Sequence, residues 1–498
     1  MKSFRKMDLL VAVICFTLTG CMVGPDFHPQ SSPQVSSYTE TPMPAKTVHT
    51  HALGNSGKTQ YFVSTQQIPN QWWELFHSKE INALVQRGIA NSPNLAAAYA
   101  SLRQAQETLN AQIGNSLFPA FTAGLGGQRQ LYSSSTIGST SQNSIFNLYN
   151  ANVNVTYTLD VFGGARRQIE SLRAQVDYQQ FELIAAYLTL TSNIVTTAVT
   201  ASAYDAQIKA TKALIANQLY QLNITKSQLG MGGVSEENVL SLQAALEQTR
   251  ASLPPLEQSL AQSLHALDVL VGDLPNKPIK IVNLDRLNLP SKLPVSMPSS
   301  LVKQRPDVRA AEALLHAASA NIGVAVANLL PQFNLTGAYG WIAPAPSSLF
   351  GTETNVWSIA SQITQPIFHG GALLAQRRGA IDAYQLSFSQ YKQTVLTAFQ
   401  NVADTLRALE NDAKRLKAEN LATKSAYRNY QLVSKQYQYG GVSYLNLLTA
   451  QYQYQQAVLA RIQAQASRYN DTVALFQSLG GGWWNQTWCV KECLYEAT

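Results

Sequence analysis

Between Ala165 and Leu229 lie 65 consecutive residues without a glycine or a proline, and between Ala380 and Tyr439 another 60. With 28 Gly and 20 Pro among 498 residues, a stretch of 65 drawn at the chain-wide frequency would carry about six of them. Their absence predicts uninterrupted helix, because these are the two residues that helix interiors tolerate least. At about 1.5 Å of rise per residue, each rod would be roughly 90–100 Å long. A globular core needs nothing of that length, so a chain with two such rods is built to span a distance.

The rods belong to a duplication. Gly232-Gly233-Val234-Ser235 closes the first and is followed by Asn238, Val239, Leu240 and Gln243. Gly440-Gly441-Val442-Ser443 closes the second, 208 residues later, and is followed at the same spacings by Asn446, Leu447, Leu448 and Gln451. The glycine pairs are read as turns that reverse the chain with φ > 0. Shorter return helices are expected over 235–271 and 443–479, the first interrupted at Pro254-Pro255. Entry helices are expected over 78–116 and 300–330, and a return helix laid end to end with an entry helix matches the length of a rod. Equal lengths are what a wall of constant height requires.

Between entry helix and rod the period changes from helical to alternating. Residues 150–161 place Ala151, Val153, Val155, Tyr157, Leu159 and Val161 on one face and Asn150, Asn152, Asn154, Thr156, Thr158 and Asp160 on the other. That is the length and dyad period of a transmembrane β-strand with lipid on one side and water on the other, although a half-buried strand of a soluble sheet alternates too. An earlier strand is expected near 117–131, before a polar loop from Ser133 to Ser144. The second half repeats the arrangement with strands near 332–342 and 356–368 around the loop 344–355. Four strands cannot close a membrane barrel, for which about eight are the minimum, and an open edge in lipid leaves backbone groups unpaired. Several copies must then share one barrel. No uninterrupted apolar run of about 18 residues follows the leader, which argues against a helical span.

The first residues carry their own signal. Lys2, Arg5 and Lys6 precede a short apolar stretch, Leu9 to Leu18, that ends in Leu18-Thr19-Gly20-Cys21. This pattern resembles a bacterial lipobox, with Cys21 as the lipid-bearing mature N-terminus. Met22 stands where lipoproteins held at the inner membrane carry Asp, which implies delivery to the outer membrane. A Pro-, Ser- and Thr-rich extended tether follows to about residue 70, and Trp72-Trp73 beyond it reads as a core-filling pair. Cys489 and Cys493 remain in an oxidising compartment, where a loop could close them into a disulfide; on a helix that spacing is borderline.

Composition narrows the function. Charged residues make up only 13%, about half the usual quarter, so much of the surface is expected to lie against other subunits or lipid. The formal charge of +7, about +5 without the leader, is too mild and scattered for nucleic acid. No catalytic constellation is present, no cofactor is implied, and the seven His form no metal-ligand pattern. Gly57-Lys58-Thr59 lacks the leading Gly of a phosphate loop, Ala52 standing in its place, and His265 and His316 are read as packing or surface residues.

Taken together, the lipobox with Gly24-Pro25-Asp26-Phe27, Gln304-Arg305-Pro306-Asp307-Val308-Arg309, Asn321-Ile322-Gly323, Gln365-Pro366-Ile367-Phe368 with Gly370-Gly371, and Leu479-Gly480-Gly481-Gly482-Trp483 resemble the outer-membrane efflux lipoproteins, the outer membrane factors of the OprM and NodT type. The resemblance implies a mainly α chain with a membrane β-barrel segment: a homotrimeric twelve-helix periplasmic α-barrel continuous with a twelve-stranded β-barrel. It implies a periplasmic adaptor and an inner-membrane efflux pump as partners. On that plan residues 1–20 are signal peptide, 21–76 tether, 77–271 the first repeat, 272–299 a connector, 300–479 the second repeat and 480–498 a tail. The second turn would narrow the periplasmic mouth, with Tyr444, Asn446 and Thr449 as aperture candidates. Asn446 and Thr449 stand where the family often has acidic residues, so a neutral aperture is expected, and the same residues could instead serve only to cap and pack the hairpin. Glu236 and Glu237 offer a carboxylate pair at the first turn or a favourable helix N-terminal charge. The expected function is a passive exit duct for small molecules. A duct for protein or peptide secretion and a periplasmic scaffold lipoprotein are the alternatives.

Overall fold

A computed structural model describes residues 22–35, 37–51, 54–64, 67–132, 144–295 and 297–485. Cys21, most of the polar loop (133–143) and the pair Cys489 and Cys493 lie outside the described residues. The chain divides into two compact units, one drawn from 1–30, 101–180 and 310–392, the other from 31–100, 181–309 and 393–498.

The rods form as one helix each. α3 runs Gly164–Gly230 and α8 runs Ala372–Gln438, both of 67 residues, and α8 absorbs Gly379 without a break. The entry segments differ from expectation: each is two helices. α1 (Lys79–Asn91) stops before α2 (Pro93–Leu117), and α6 (Pro298–Gln304) stops before α7 (Pro306–Ala327). The cause is local. A residue before proline is driven out of the α region, while proline itself starts a helix well. Ser92 (φ −65, ψ 119) and Arg305 (φ −80, ψ 126) are accordingly extended. The first return segment also divides, into α4 (Glu236–Ala251) and α5 (Leu253–Leu270), where Leu253 and Pro254 open the second piece. Its counterpart α9 (Tyr444–Ser478) contains no proline and runs 35 residues unbroken.

The first unit holds an antiparallel sheet of four strands, β2 (Ala120–Tyr132), β3 (Ser144–Leu159), β5 (Gln332–Ala343) and β6 (Asn355–Thr364), in the order β2-β3-β5-β6. Phe121, Val155, Gly337 and Ile359 stand opposite one another on one face, as do Val153, Tyr339 and Trp357. Asn154 lies between Thr122 and Ala338 on the other face, and there Thr158 Oγ1 donates to Asn334 Oδ1 at 2.8 Å. The apolar face is bare: Phe121 is 70% exposed, Leu125 79% and Ile359 83%. The last strand ends four residues short of Phe368, because Pro366 cannot donate to a ladder.

The second unit carries the aromatic core. Trp72 stacks on Phe476 at 5.4 Å, Trp73 meets Tyr187, and Phe76 packs on Tyr469. The expected tether is bound down here. β1 (Tyr61–Val63) pairs in parallel with β4 (Lys292–Pro294), inside the expected connector, and the buried Arg468 donates to Thr47 Oγ1 (3.0 Å) and the Lys58 carbonyl (2.7 Å). Two helices, α3 and α7, contain windows long and apolar enough to cross a membrane, beyond what a search for uninterrupted runs finds. More than half of each window is buried within the protein, which is what core packing requires.

Candidate functional site at the paired helix turns

Both rods end by the same hydrogen-bond pattern. At the first turn Gly233 N donates to the Gln228 carbonyl (2.8 Å) and Gly232 N to Leu229 (2.9 Å); at the second Gly441 N donates to Gln436 (2.8 Å) and Gly440 N to Tyr437 (3.0 Å). These paired six-to-one and five-to-two bonds satisfy carbonyls that the helix end leaves open, and they need a left-handed residue at the first glycine. Gly232 (φ +73) and Gly440 (φ +75) are left-handed. Gly233 and Gly441 are not, so one member of each pair supplies the positive φ expected of the turn. Gly440→Ala should therefore lower stability by about 1–2 kcal/mol, and Gly441→Ala by clearly less, in denaturant titrations of the two variants. Equal losses would mean that the left-handed residue is not what the turn requires.

The two hairpins pack on each other through Leu222, Val239, Leu242, Leu246, Tyr444 and Leu447. Tyr444 thus departs from its expected place among the aperture residues. It sits on the buried face of α9, 5.4 Å from Tyr437, and burial raises its hydroxyl well above the usual tyrosine range. Asn446 and Thr449 lie on the opposite, exposed face, one helical turn apart. Thr449 Oγ1 donates to the Leu445 carbonyl at 2.9 Å. Glu236 and Glu237 are exposed in the first turn of α4, where the helix dipole favours them. A recess of about 380 Å³ between the hairpins is lined by uncharged groups, polar ones such as Gln221, Thr225, Gln228 and Ser434 beside apolar Ile224, Val234, Val442 and Leu447. Gln221 Nε2 also donates to Tyr430 Oη at 3.4 Å. The turn region carries exposed charge at Glu236 and Glu237 and, at the ends of the rods that lead into the turns, at Lys226 and Lys435.

Some residues that organise the unit were not singled out as functional from sequence. Asp160, read as one of the polar-face positions of a strand, accepts from Ala165 N and Arg166 N at 3.0 Å and so caps α3. Gly163 (φ +78) folds the chain back far enough for it to reach. The motifs of the second unit lock onto one another rather than onto a ligand. Arg305 makes a two-pronged bond to Asp307 (2.9 and 2.6 Å) and donates to the Ser478 carbonyl (3.0 Å). Trp483 Nε1 donates to the Gln304 carbonyl at 2.6 Å, and a side chain at Gly480 would collide with that same oxygen.

Asp471 on α9 neighbours Asp412 on α8: burial first, and the neighbouring carboxyl second, push it up to about 7. An acid raised from 3.8 binds more protons folded than unfolded, so its contribution to stability should be fully present below pH 4, fall as pH rises through 7, and then level off. Because the group is partly exposed, the loss should be about 1–3 kcal/mol. Melting curves at pH 5 and pH 8 should show it, and Asp471→Asn should flatten the difference; an unaltered pH slope in that variant would assign the effect elsewhere.

Paired rods that end in matched hairpin turns and a four-stranded antiparallel sheet bare on its apolar face make up a fold shared with outer-membrane channels. The chain belongs to the outer membrane efflux protein family, whose model matches residues 84–273 and 297–481. It is 29% identical over 486 residues to the toluene efflux pump outer membrane protein TtgC of Pseudomonas putida, covering 97% of each chain. It is also 29% identical to nodulation protein T of Rhizobium leguminosarum bv. viciae, over 97% of this chain and 94% of that one. Among solved structures, the outer-membrane channel OprN superposes with a TM-score of 0.82 at 26% identity, over 93% of this chain and 100% of that one. The Campylobacter jejuni CmeC outer membrane channel gives 0.83 at 22% identity, over 93% and 95%.

Proposed function

We propose that the protein is the outer-membrane exit duct of a tripartite efflux system, passively passing small molecules delivered by an inner-membrane pump through a periplasmic adaptor. The observation that carries this reading is the sheet. Its outer strands β2 and β6 have no neighbour on their far sides among the described residues, and its apolar face has no cover there either. Backbone edges left open in lipid would cost several kcal/mol each, so copies of the chain join edge to edge around a common axis. A homotrimer brings the strand number to a barrel wide enough for a lumen. The polar faces of β3 and β5 then line that lumen, and the apolar faces meet lipid. Cys21 carries acyl chains that anchor each copy.

The relatives support the direction of transport, since the matched Pseudomonas protein is named for a toluene efflux pump. In that assembly the hairpin turns form the periplasmic mouth. Asn446 and Thr449 form stacked neutral rings around it, and the exposed Met231, Tyr439 and Leu445 offer apolar contacts to the adaptor. The test is a chromosomal deletion challenged with a panel of drugs, dyes, solvents and metals, with intracellular accumulation as the readout. Raised accumulation of particular small molecules, restored by the intact gene, is the expected result. A deletion that changes no small-molecule susceptibility but blocks appearance of a secreted protein would overturn the efflux reading.

A further inference from the structure

Arg167, three residues into α3, is the most completely enclosed charge among the described residues of the first unit, with a side chain only 2% exposed. Almost everything it binds comes from the first residues behind Cys21. Its Nε donates to the Val23 carbonyl (3.0 Å), and its Nη2 to the Gly24 carbonyl (3.4 Å) and to Asp26 Oδ1 (2.7 Å). Nη1 goes to Glu170 Oε2 at 2.7 Å. Glu170 presents its other oxygen to His316 Nε2 at 2.9 Å, and the His316 ring lies flat against Phe27, with centroids 4.4 Å apart. Val23 N donates to the Phe162 carbonyl at 3.1 Å, just past the end of β3.

Three glycines make room for this segment. Gly24 (φ +91) crosses Gly323 so closely that a Cβ would lie 2.4 Å from the Gly323 Cα. A Cβ on Gly323 would strike Arg167 and the Val23 carbonyl, both at 2.8 Å, and one on Gly163 would strike Met22 at 2.7 Å. A planar guanidinium spending its fork on two carbonyls and a carboxylate, over glycines cut to backbone thickness, is a fitted recess with a definite occupant. The occupant is Met22 to Phe27.

We propose that this recess is a docking socket for the mature N-terminus, and that the socket, rather than the length of the following segment, fixes where the acyl chains on Cys21 meet the bilayer. Met22 is held against Gly163, four residues beyond the last residue of β3, so the socket closes on the segment right behind the lipid-bearing position and close in sequence to the end of that strand. The inference rests on the lipoprotein reading of Cys21 given above. The motif Gly24-Asp26-Phe27 is thereby assigned to positioning, with Arg167, Glu170, His316 and Gly323 as its receiving residues.

A nitroxide at His28→Cys, in the full chain with Cys489 and Cys493 changed to Ser, reports the docking in membranes. The parent should give a strongly immobilised spectrum. Arg167→Gln should make it several-fold more mobile while labelled palmitate is still incorporated at Cys21. Asp26→Asn with Phe27→Ala covers the case in which losing Arg167 prevents folding, since the Asp26 side chain is 78% exposed and its replacement leaves the interior intact. Cys21→Ser behind an ordinary cleavable leader should keep the label immobile. A label equally immobile in both socket variants, or mobile in Cys21→Ser alone, would overturn the socket. A parent that takes up no palmitate yet keeps its label immobile would instead overturn the lipoprotein reading, and the acyl placement with it.

Discussion

Ile359→Lys is expected to keep the protein from accumulating as a heat-modifiable oligomer in the outer membrane, whereas Ser358→Lys, the adjacent residue of the same strand, is expected to be tolerated. Successive side chains of a strand point to opposite faces, and the register settles which is which. Ile359 stands opposite Gly337 in a row with Val155 and Phe121, while Ser358 stands opposite Ala338 beside Asn154. A lysine on a lipid-facing barrel position costs about 2–4 kcal/mol near the midplane, and every copy in an oligomer pays it, whereas a lumen position tunes selectivity instead. Gel migration of boiled and unboiled outer-membrane fractions gives the answer. Equal assembly of the two variants would mean that the bare apolar face is not the lipid face.

Replacing Asn446 and Thr449 together with Ala should raise single-channel conductance in a planar bilayer while leaving ion selectivity nearly unchanged. Both lie on the exposed face of α9, one helical turn beyond the turn that closes the second rod. On the proposed assembly, neutral hydrogen bonds across the axis would be worth about 0.5–1.5 kcal/mol each, and a ring from every copy would sum to a closed state that a partner could still open. Tyr444 is left out of the substitution because its ring fills the core between the hairpins, where truncation would cost about 3–5 kcal/mol of packing. Unchanged conductance would move the constriction elsewhere. A large fall in cation preference would make these rings the filter that their lack of charge argues against.

Much of this architecture is legible in the residues, for physical reasons that differ by element. The rods are visible because 65 residues without Gly or Pro have few competing structures, and the strands because twelve residues alternate without a slip. The breaks at Ser92 and Arg305 were equally available, since Pro93 and Pro306 are plain in the sequence, but proline at a helix start and proline inside a helix look alike until the preceding residue is considered. The strand that ends at Thr364 follows the same logic through Pro366. The face of α9 was harder. Tyr444, Asn446 and Thr449 are polar at the surface of a hairpin, and only the packing of Leu242 and Leu246 from α4 decides that Tyr444 is inside. Contacts such as Arg167 with Asp26 or Arg468 with Thr47 join residues 141 and 421 positions apart, and no local pattern encodes them.

The measurement that bears most directly on the account is electron cryomicroscopy of the protein extracted with its native lipids. The account predicts a threefold particle in which β2 of one copy pairs with β6 of the next, closing a single barrel around a continuous lumen that narrows at Asn446 and Thr449. A monomeric particle, or an oligomer whose sheets stay separate with no lumen between them, would contradict it.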